Sequence, residues 1–163
     1  MTKTSAGLLL WRYKTSDVQV LLVHPGGPFW AGKDNGAWSI PKGEYDAGED
    51  PLTAAQREFG EELGAQAPQH ATPLGEIKQK GGKVVTGFAA QGDFDVSALR
   101  SNSFEMEWPP HSGRRQAFPE VDRAQWFGLA EARNKINSAQ CALLDRLDAL
   151  ITSSRPKRRS DRC

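Results

Sequence analysis

Between Gly43 and Ala65, in the stretch GEYDAGEDPLTAAQREFGEELGA, the sequence gathers side chains that can do chemistry together. Glu49 is followed by Arg57, Glu58, Glu61 and Glu62, the last four within six residues. If the stretch is helical, Glu58 and Glu62 stand at i,i+4 and Glu58 and Glu61 at i,i+3, so three carboxylates share one side of the helix. Like charges at these spacings repel by a few tenths of a kcal/mol per pair, which calls for a cation opposite them. An oxygen-only donor set of this kind suits a hard divalent cation, Mg²⁺ or Mn²⁺.

A helix must hold these acids in place, and its limits are written in the sequence. Asp50 suits the N-cap and Pro51 the first helical position, where the missing N–H of proline needs no partner. Gly64 stands where a left-handed residue would close the helix. Leu52, Ala55, Phe59 and Leu63 repeat at the spacing of one packed face. Before this helix, Ala6 to Tyr13 and Val18 to His24 read as strands joined by the hairpin-length turn Lys14 to Asp17. Residues 25–37 form a loop rich in Gly and Pro. Trp38 to Ile40 is a short strand leading into Pro41, Lys42 and Gly43.

After the helix, Leu74 to Gln79 and Lys83 to Ala90 flank Gly81-Gly82, a two-residue hairpin signal. Phe104 to Trp108 alternates as a strand does, and Pro109-Pro110 ends it. Residues 109–119 read as a second irregular loop. Val121 to Phe127 is a late strand and Leu129 to Ile136 a short helix. Asn137 or Ser138 caps a final helix whose Leu143, Leu144, Leu147, Leu150 and Ile151 make a core-facing stripe.

Several loop residues have two readings. Phe29 and Trp30 can stack a nucleobase or anchor their loop to the core. Lys42, beside the acidic stretch, can contact a phosphate or remain a solvated lysine. Arg114 and Arg115 have the fork that matches phosphate oxygens, although loop arginines are commonly just solvated. His111 reads as a surface residue rather than a base.

Composition sets the outer limits. The chain has 163 residues, with 38% hydrophobic and 25% charged residues, ordinary for one globular domain. The expected organisation is a single domain over residues 1–154 and a basic, disordered tail over 155–163. That tail carries five basic residues and one acid, so the net charge of +1 hides a body with 16 basic against 19 acidic residues. A net-acidic body disfavours a nucleic-acid-binding surface. No apolar run reaches a transmembrane length, so no membrane partner is expected, and Cys141 and Cys163 do not make a disulfide framework. A cytoplasmic location is the expectation.

The acidic stretch resembles the signature of the Nudix hydrolase family, G-x5-E-x7-R-E-U-x-E-E-x-G-U, with U a bulky apolar residue. Gly43, Glu49, Arg57, Glu58, Phe59, Glu61, Glu62 and Gly64 fall in register with it. Ala65 departs by being small, which weakens packing and touches no chemistry. The resemblance implies an α/β (α+β) fold, an αβα sandwich with a mixed β-sheet between helices. It also implies a Mg²⁺-dependent pyrophosphohydrolase, with Mn²⁺ a possible substitute, active as a monomer or a homodimer. Glu58, Glu61 and Glu62 would hold the metal, with the Gly43 carbonyl as a further ligand and Arg57 orienting the set through Glu49. Family members often place another acid about six residues before a strand tryptophan. Glu120 precedes Trp126 by six, so it is expected as an extra ligand or general base.

The resemblance leaves the substrate more open. Trp38 to Gly43, WSIPKG, is similar to the W-x-x-P-K-G opening of the diadenosine polyphosphate hydrolases and of the diphosphoinositol polyphosphate phosphohydrolases. The acidic body disfavours a densely phosphorylated inositol. A dinucleoside polyphosphate such as diadenosine tetraphosphate is therefore the leading expectation, followed by nucleoside triphosphates, oxidised ones included. A nucleotide-sensing module that does not cleave, and an RNA 5′-end pyrophosphohydrolase using the basic tail, are the remaining readings. A non-cleaving module should tolerate loss of the metal-binding glutamates, and all of them are present.

Overall fold

Alternation in the leucine-rich strands is the first cause of the architecture. The computed structural model describes residues 3–154; the basic tail lies outside them. Strand β1 (Thr4–Lys14) sends Ala6, Leu8 and Leu10 to one side and Leu9 and Trp11 to the other. Strand β2 (Asp17–Pro25) splits Leu21 and Val23 from Val20 and Leu22 in the same way. Both faces of the sheet are thus apolar, and each needs a cover.

The cover on one side is helix α1 (Pro51–Leu63), which buries Ala54, Ala55, Phe59 and Leu63. On the other lie α2 (Leu129–Lys135) and α3 (Cys141–Ser154), whose Leu143, Leu144, Leu147 and Ile151 form the expected stripe. Each fully buried Phe or Leu contributes roughly 1.5–3 kcal/mol. The layers are α, β, α, as the resemblance implied.

The sheet between them is mixed. Its path runs β4 (Thr72–Lys78), β5 (Val84–Gln91), β1, β2, β8 (Val121–Gly128), and the short β3 (Lys42–Glu44) also pairs with β1. Only β1 and β5 run parallel; the other pairings are antiparallel. The Ser5–Gly7 end of β1 faces β3, and its Trp11–Lys14 end faces β2. This register delivers Lys42 and Gly43 to the start of β1, directly ahead of α1.

Three local expectations need correction. Trp38 to Ile40 is not a strand: Ser39 bridges to Val23 and Trp38 to Ile136 singly. The hairpin at Gly81-Gly82 closes through a three-residue turn, Lys80–Gly82, with both glycines at positive φ. Residues 109–119 are not wholly irregular, because Arg115–Pro119 forms β7 and pairs antiparallel with β6 (Ser103–Glu107) as a separate hairpin. Phe104 and Phe118 stand opposite each other in it, with ring centres 6.0 Å apart. This cross-strand pair outweighs the poor strand propensity of Arg-Gln-Ala-Phe-Pro. No helix among the described residues is long and apolar enough to cross a membrane.

Candidate active site

The ends of α1 are fixed as their residue types demand. Asp50 accepts the Thr53 N–H at 3.1 Å, Pro51 opens the helix, and Gly64 closes it at φ 75°. The backbone N–H groups of Arg100 and Asn102 then donate to the carbonyls of Leu63 and Glu61, which helix geometry leaves unpaired. With both termini pinned, the rotation of the helix is set, and so is the direction of each acid.

Glu58 and Glu62 turn inward and are each only 8% exposed. Glu58 lies flat against Gly43: a Cβ added at Gly43 would stand 2.1 Å from the Glu58 carboxyl carbon. Only a residue without a side chain leaves that carboxylate room, which is the physical reason for a glycine at this point ahead of the helix. Arg57 clasps Glu49 through two contacts of 3.0 Å. The same guanidinium reaches Glu58 at 2.8 Å and Glu61 at 3.3 Å. The Arg57–Glu49 pairing therefore forms as expected, and Arg57 also ties the tips of two of the proposed metal ligands.

Electrostatics separate these acids. Burial pushes the Glu62 carboxyl up to about 8, with the charges of Glu58 and Glu120 adding to the effect and Lys42 opposing it. Glu58 and Glu120 are raised in the same sense, burial being the largest cause in each. Glu49 is held below the usual range by its hydrogen bonds to Arg57. The Lys42 ammonium is pushed down by burial, against the pull of Glu62. Glu58, Glu62 and Glu120 thus raise one another's proton affinity, offset in part by Arg57 at Glu58 and by Lys42 at Glu62, an arrangement that a divalent cation would relieve further.

The donor set fits such a cation chemically. Glu58, Glu61, Glu62 and Glu120, with the Gly43 carbonyl, offer only oxygen, the choice of Mg²⁺ and Mn²⁺. Among the described residues, however, no three such groups already stand at the spacing of a metal site. Arg57 Nη1 lies against Glu58 and Glu61. Arg57 takes Oε1 of Glu58 and leaves Oε2 free for a cation.

Glu62 and Glu120 open onto a cleft of about 260 Å³ that is also lined by Lys42 and Trp30. Glu120 sits on the bend between β7 and β8, where its N–H donates to the Asn102 carbonyl and its own carbonyl accepts from Gly26. The structure thus brings together Lys42, Trp30, Glu62 and Glu120, which are far apart in sequence. It does not bring in Arg114 or Arg115. Both are exposed in the β6–β7 hairpin, and Arg115 faces Glu105 at 3.7 Å. His111 is likewise exposed, at φ 62°, and its N–H donates to Glu107. Phe29 is 62% exposed and packs edge-on against Trp108 rather than lining the cleft.

Other residues in and behind the cleft escaped the sequence reading. His24 is fully buried, with Nδ1 2.8 Å from Asp122 and Nε2 2.7 Å from the Lys33 carbonyl. It fastens the 25–37 loop behind Trp38, whose ring it meets edge-on at 5.2 Å. Gln79, Asn137 and Gln140 also line the cleft. The one available signal was Gln140, a polar residue three and four positions before Leu143 and Leu144, and so on the buried stripe.

An α/β/α layering around a mixed sheet, with a glycine-led acidic helix at the mouth of a cleft, defines a class of phosphate-handling folds. The family model for the NUDIX domain matches residues 1–147, and the chain belongs to that family. An RNA pyrophosphohydrolase from Rhodospirillum rubrum is 55% identical over 40 residues, a match spanning 24% of this chain and 22% of that protein. Among solved structures, a C. elegans Ap4A hydrolase binary complex is similar at a TM-score of 0.64 and 23% identity, over 91% of this chain and 98% of the other. The NUDIX domain of Shewanella oneidensis NrtR, complexed with ADP ribose, is similar at 0.62 and 15% identity, over 93% and 89%. At these identities the structural likeness establishes the fold.

Proposed function

We propose that this chain hydrolyses a pyrophosphate bond in a nucleoside diphosphate linked to another moiety, using a divalent metal, with a dinucleoside polyphosphate as the leading substrate. The observation that carries this reading is the cleft itself, where Glu58 and Glu120 raise the proton affinity of Glu62 beside Lys42, with Glu58 buried against Gly43. Glu58, Glu61, Glu62 and Glu120, with the Gly43 carbonyl, would hold the metal. When bound, Mg²⁺ would neutralise phosphate charge and acidify water at the attacked phosphorus. The protein's own groups do the rest. Glu120, raised by burial and by Glu58 and Glu61, is suited to take a proton from water once a cation offsets those charges. Lys42 lines the cleft beside Glu62 and can engage a phosphate oxygen. Glu49 holds the Arg57 fork, which fixes the direction of Glu58 and Glu61. Trp30, 38% exposed, offers a ring face for a base.

The preference for a dinucleoside polyphosphate is supported by the Trp38 to Gly43 pattern and is consistent with the Ap4A hydrolase among the structural neighbours. The 40-residue match to an RNA pyrophosphohydrolase favours a second reading, action on an RNA 5′ end. A Mg²⁺-dependent screen separates these readings, using dinucleoside polyphosphates, nucleoside triphosphates and 5′-triphosphorylated RNA, with every product identified. The expected outcome is asymmetric cleavage of a dinucleoside tetraphosphate at the highest kcat/KM. Nucleotide binding without turnover of any substrate would overturn the hydrolase reading in favour of a sensing module.

A further inference from the structure

His24 is completely buried, yet each of its ring nitrogens stands within hydrogen-bond distance of an oxygen. Nε2 lies 2.7 Å from the Lys33 carbonyl, which can only accept, so a proton occupies that gap. Nδ1 lies 2.8 Å from a carboxylate oxygen of Asp122, and that gap needs a proton as well. A neutral imidazole brings one proton for the two places. The second must sit on the ring or on the carboxyl. The Arg123 guanidinium stands 3.8 Å from the same Asp122 oxygen, which favours the ionised carboxylate. An imidazolium also holds its proton more firmly than a carboxylic acid does. The ring therefore carries both protons, and Asp122 is the counter-charge that a buried cation requires.

Each of the two bonds leads to a wall of the cleft. Lys33 donates its N–H to the Trp30 carbonyl at 3.0 Å and lays its ammonium over the Trp30 ring, 5.0 Å from the centre. Holding the Lys33 carbonyl thus holds the ring that offers its face to a base. Asp122 stands on β8 two residues after Glu120. Between them Val121 pairs with Pro25, and the next residue, Gly26, donates to the Glu120 carbonyl at 3.0 Å. One buried side chain therefore ties the segment of Trp30 to that of Glu120.

We infer that His24 is a positioning residue of this cleft, a doubly protonated ring that sets the base-facing loop against the start of the strand after Glu120. Its effect on turnover rests on the nucleotide-hydrolase reading; its proton count does not.

The first test is ¹⁵N–¹H NMR of the imidazole groups in neutral solution. The chain has three histidines, and His24→Asn identifies the His24 signals by their loss. Both ring nitrogens of His24 should carry a proton in the wild type, and a ring with a single N–H would overturn the inference. In Asp122→Asn the amide NH₂ can itself donate to Nδ1, so the ring should fall to one N–H, on Nε2. A ring that kept both protons there would remove Asp122 as its partner and overturn the inference too.

Kinetics with Mg²⁺ and diadenosine tetraphosphate then separate the two bonds, because asparagine places an amide near the position of Nδ1 and glutamine near that of Nε2. His24→Asn keeps the Asp122 bond and releases the loop, so KM should rise roughly tenfold with kcat within about threefold. His24→Gln holds the loop and releases Asp122, so kcat should fall roughly tenfold with KM within about threefold. Equal losses in both parameters for both variants, or no loss in either, would reduce His24 to packing and overturn its positioning role. Should circular dichroism show either variant unfolded, the proton counts of the wild type and of Asp122→Asn still decide. If no nucleotide turns over, the hydrolase reading has failed; calorimetric titration with diadenosine tetraphosphate should then show a Kd roughly tenfold weaker in His24→Asn and unchanged in His24→Gln.

Discussion

The two ends of β1 open onto two different hollows. At the Gly7 end, beside β3, lies the cleft of about 260 Å³ with Lys42, Glu62 and Glu120. At the Trp11–Tyr13 end lies a larger hollow of about 560 Å³, lined by Trp11, Tyr13, His70, Gln91, Leu150 and Ile151 among others, with no carboxylate, lysine or arginine among the described residues of its wall. The smaller one is where we place the chemistry. Volume measures how much could fit, whereas buried carboxylates that raise one another's proton affinity mark where charge is meant to be neutralised. The difference between the two ends lies in the segments that wall them: β3 leads into the acidic helix, whereas the far hollow is walled by β1, β4, β5 and α3, which bring it no acid.

The largest test of this contrast is Glu62→Gln, which removes one charge from the small cleft and changes almost no volume. We expect kcat to fall by about a thousandfold or more with the fold intact, as steady-state kinetics beside circular dichroism would show. Unchanged turnover would move the chemistry away from this cleft. Gly43→Ala attacks the same acids by shape, because the new Cβ falls on the Glu58 carboxyl. Turnover should fall about a hundredfold, and a wild-type rate would mean that Glu58 need not lie where it does.

A third test uses stability without substrate. Glu62 carries a folded-state pKa of about 8 against an ordinary 4.5, so between those values the folded chain binds more protons than the unfolded one. Stability should therefore decline as pH rises through that window, by on the order of a few kcal/mol, in protein stripped with EDTA. Excess Mg²⁺, or Glu62→Gln, should flatten the decline in urea titrations at pH 5 and pH 8. A stripped protein equally stable at both would show that the acids do not strain one another.

Smaller still is Gly64→Ala, where φ is 75° and a Cβ would stand 2.6 Å from Arg100. It should cost roughly 1–2 kcal/mol in chemical denaturation and leave kcat per folded molecule within a few-fold. At the other end of β1, His70→Ala should change kcat/KM by less than about twofold and stability by less than about 0.5 kcal/mol. A larger effect on turnover would give the big hollow a role the comparison denies it.

The acids of α1 were legible because a helix makes sequence spacing into spatial order. Glu58, Glu61 and Glu62 share a side through 3.6-residue periodicity alone, and Asp50, Pro51 and Gly64 mark its ends by backbone chemistry that needs no tertiary partner. The strands were legible for the same reason, since Leu8 to Leu10 and Val20 to Val23 must split between two apolar faces. Lys42 sits next to the signature, and β3 needed only a neighbour to pair with.

Tertiary structure decided everything that joins distant segments. β7 exists because Phe118 finds Phe104, and Arg114 and Arg115 are carried out of reach of the cleft with it. Glu120 comes to face Glu62 because β8 pairs with β2 and because Gly26 and Asn102 hold its bend. The amide polarity of Gln79 depends on Gln140, 61 positions later, and that of Gln140 on the backbone N–H of Ile40. A hydrogen bond at such separations has no period to announce it. The sequence alone determined that Glu58, Glu61 and Glu62 could hold a metal together, because they lie on one helix. The packing of loop, strand end and helix start decided which other side chains line the cleft, because that wall is built from contacts between remote parts of the chain.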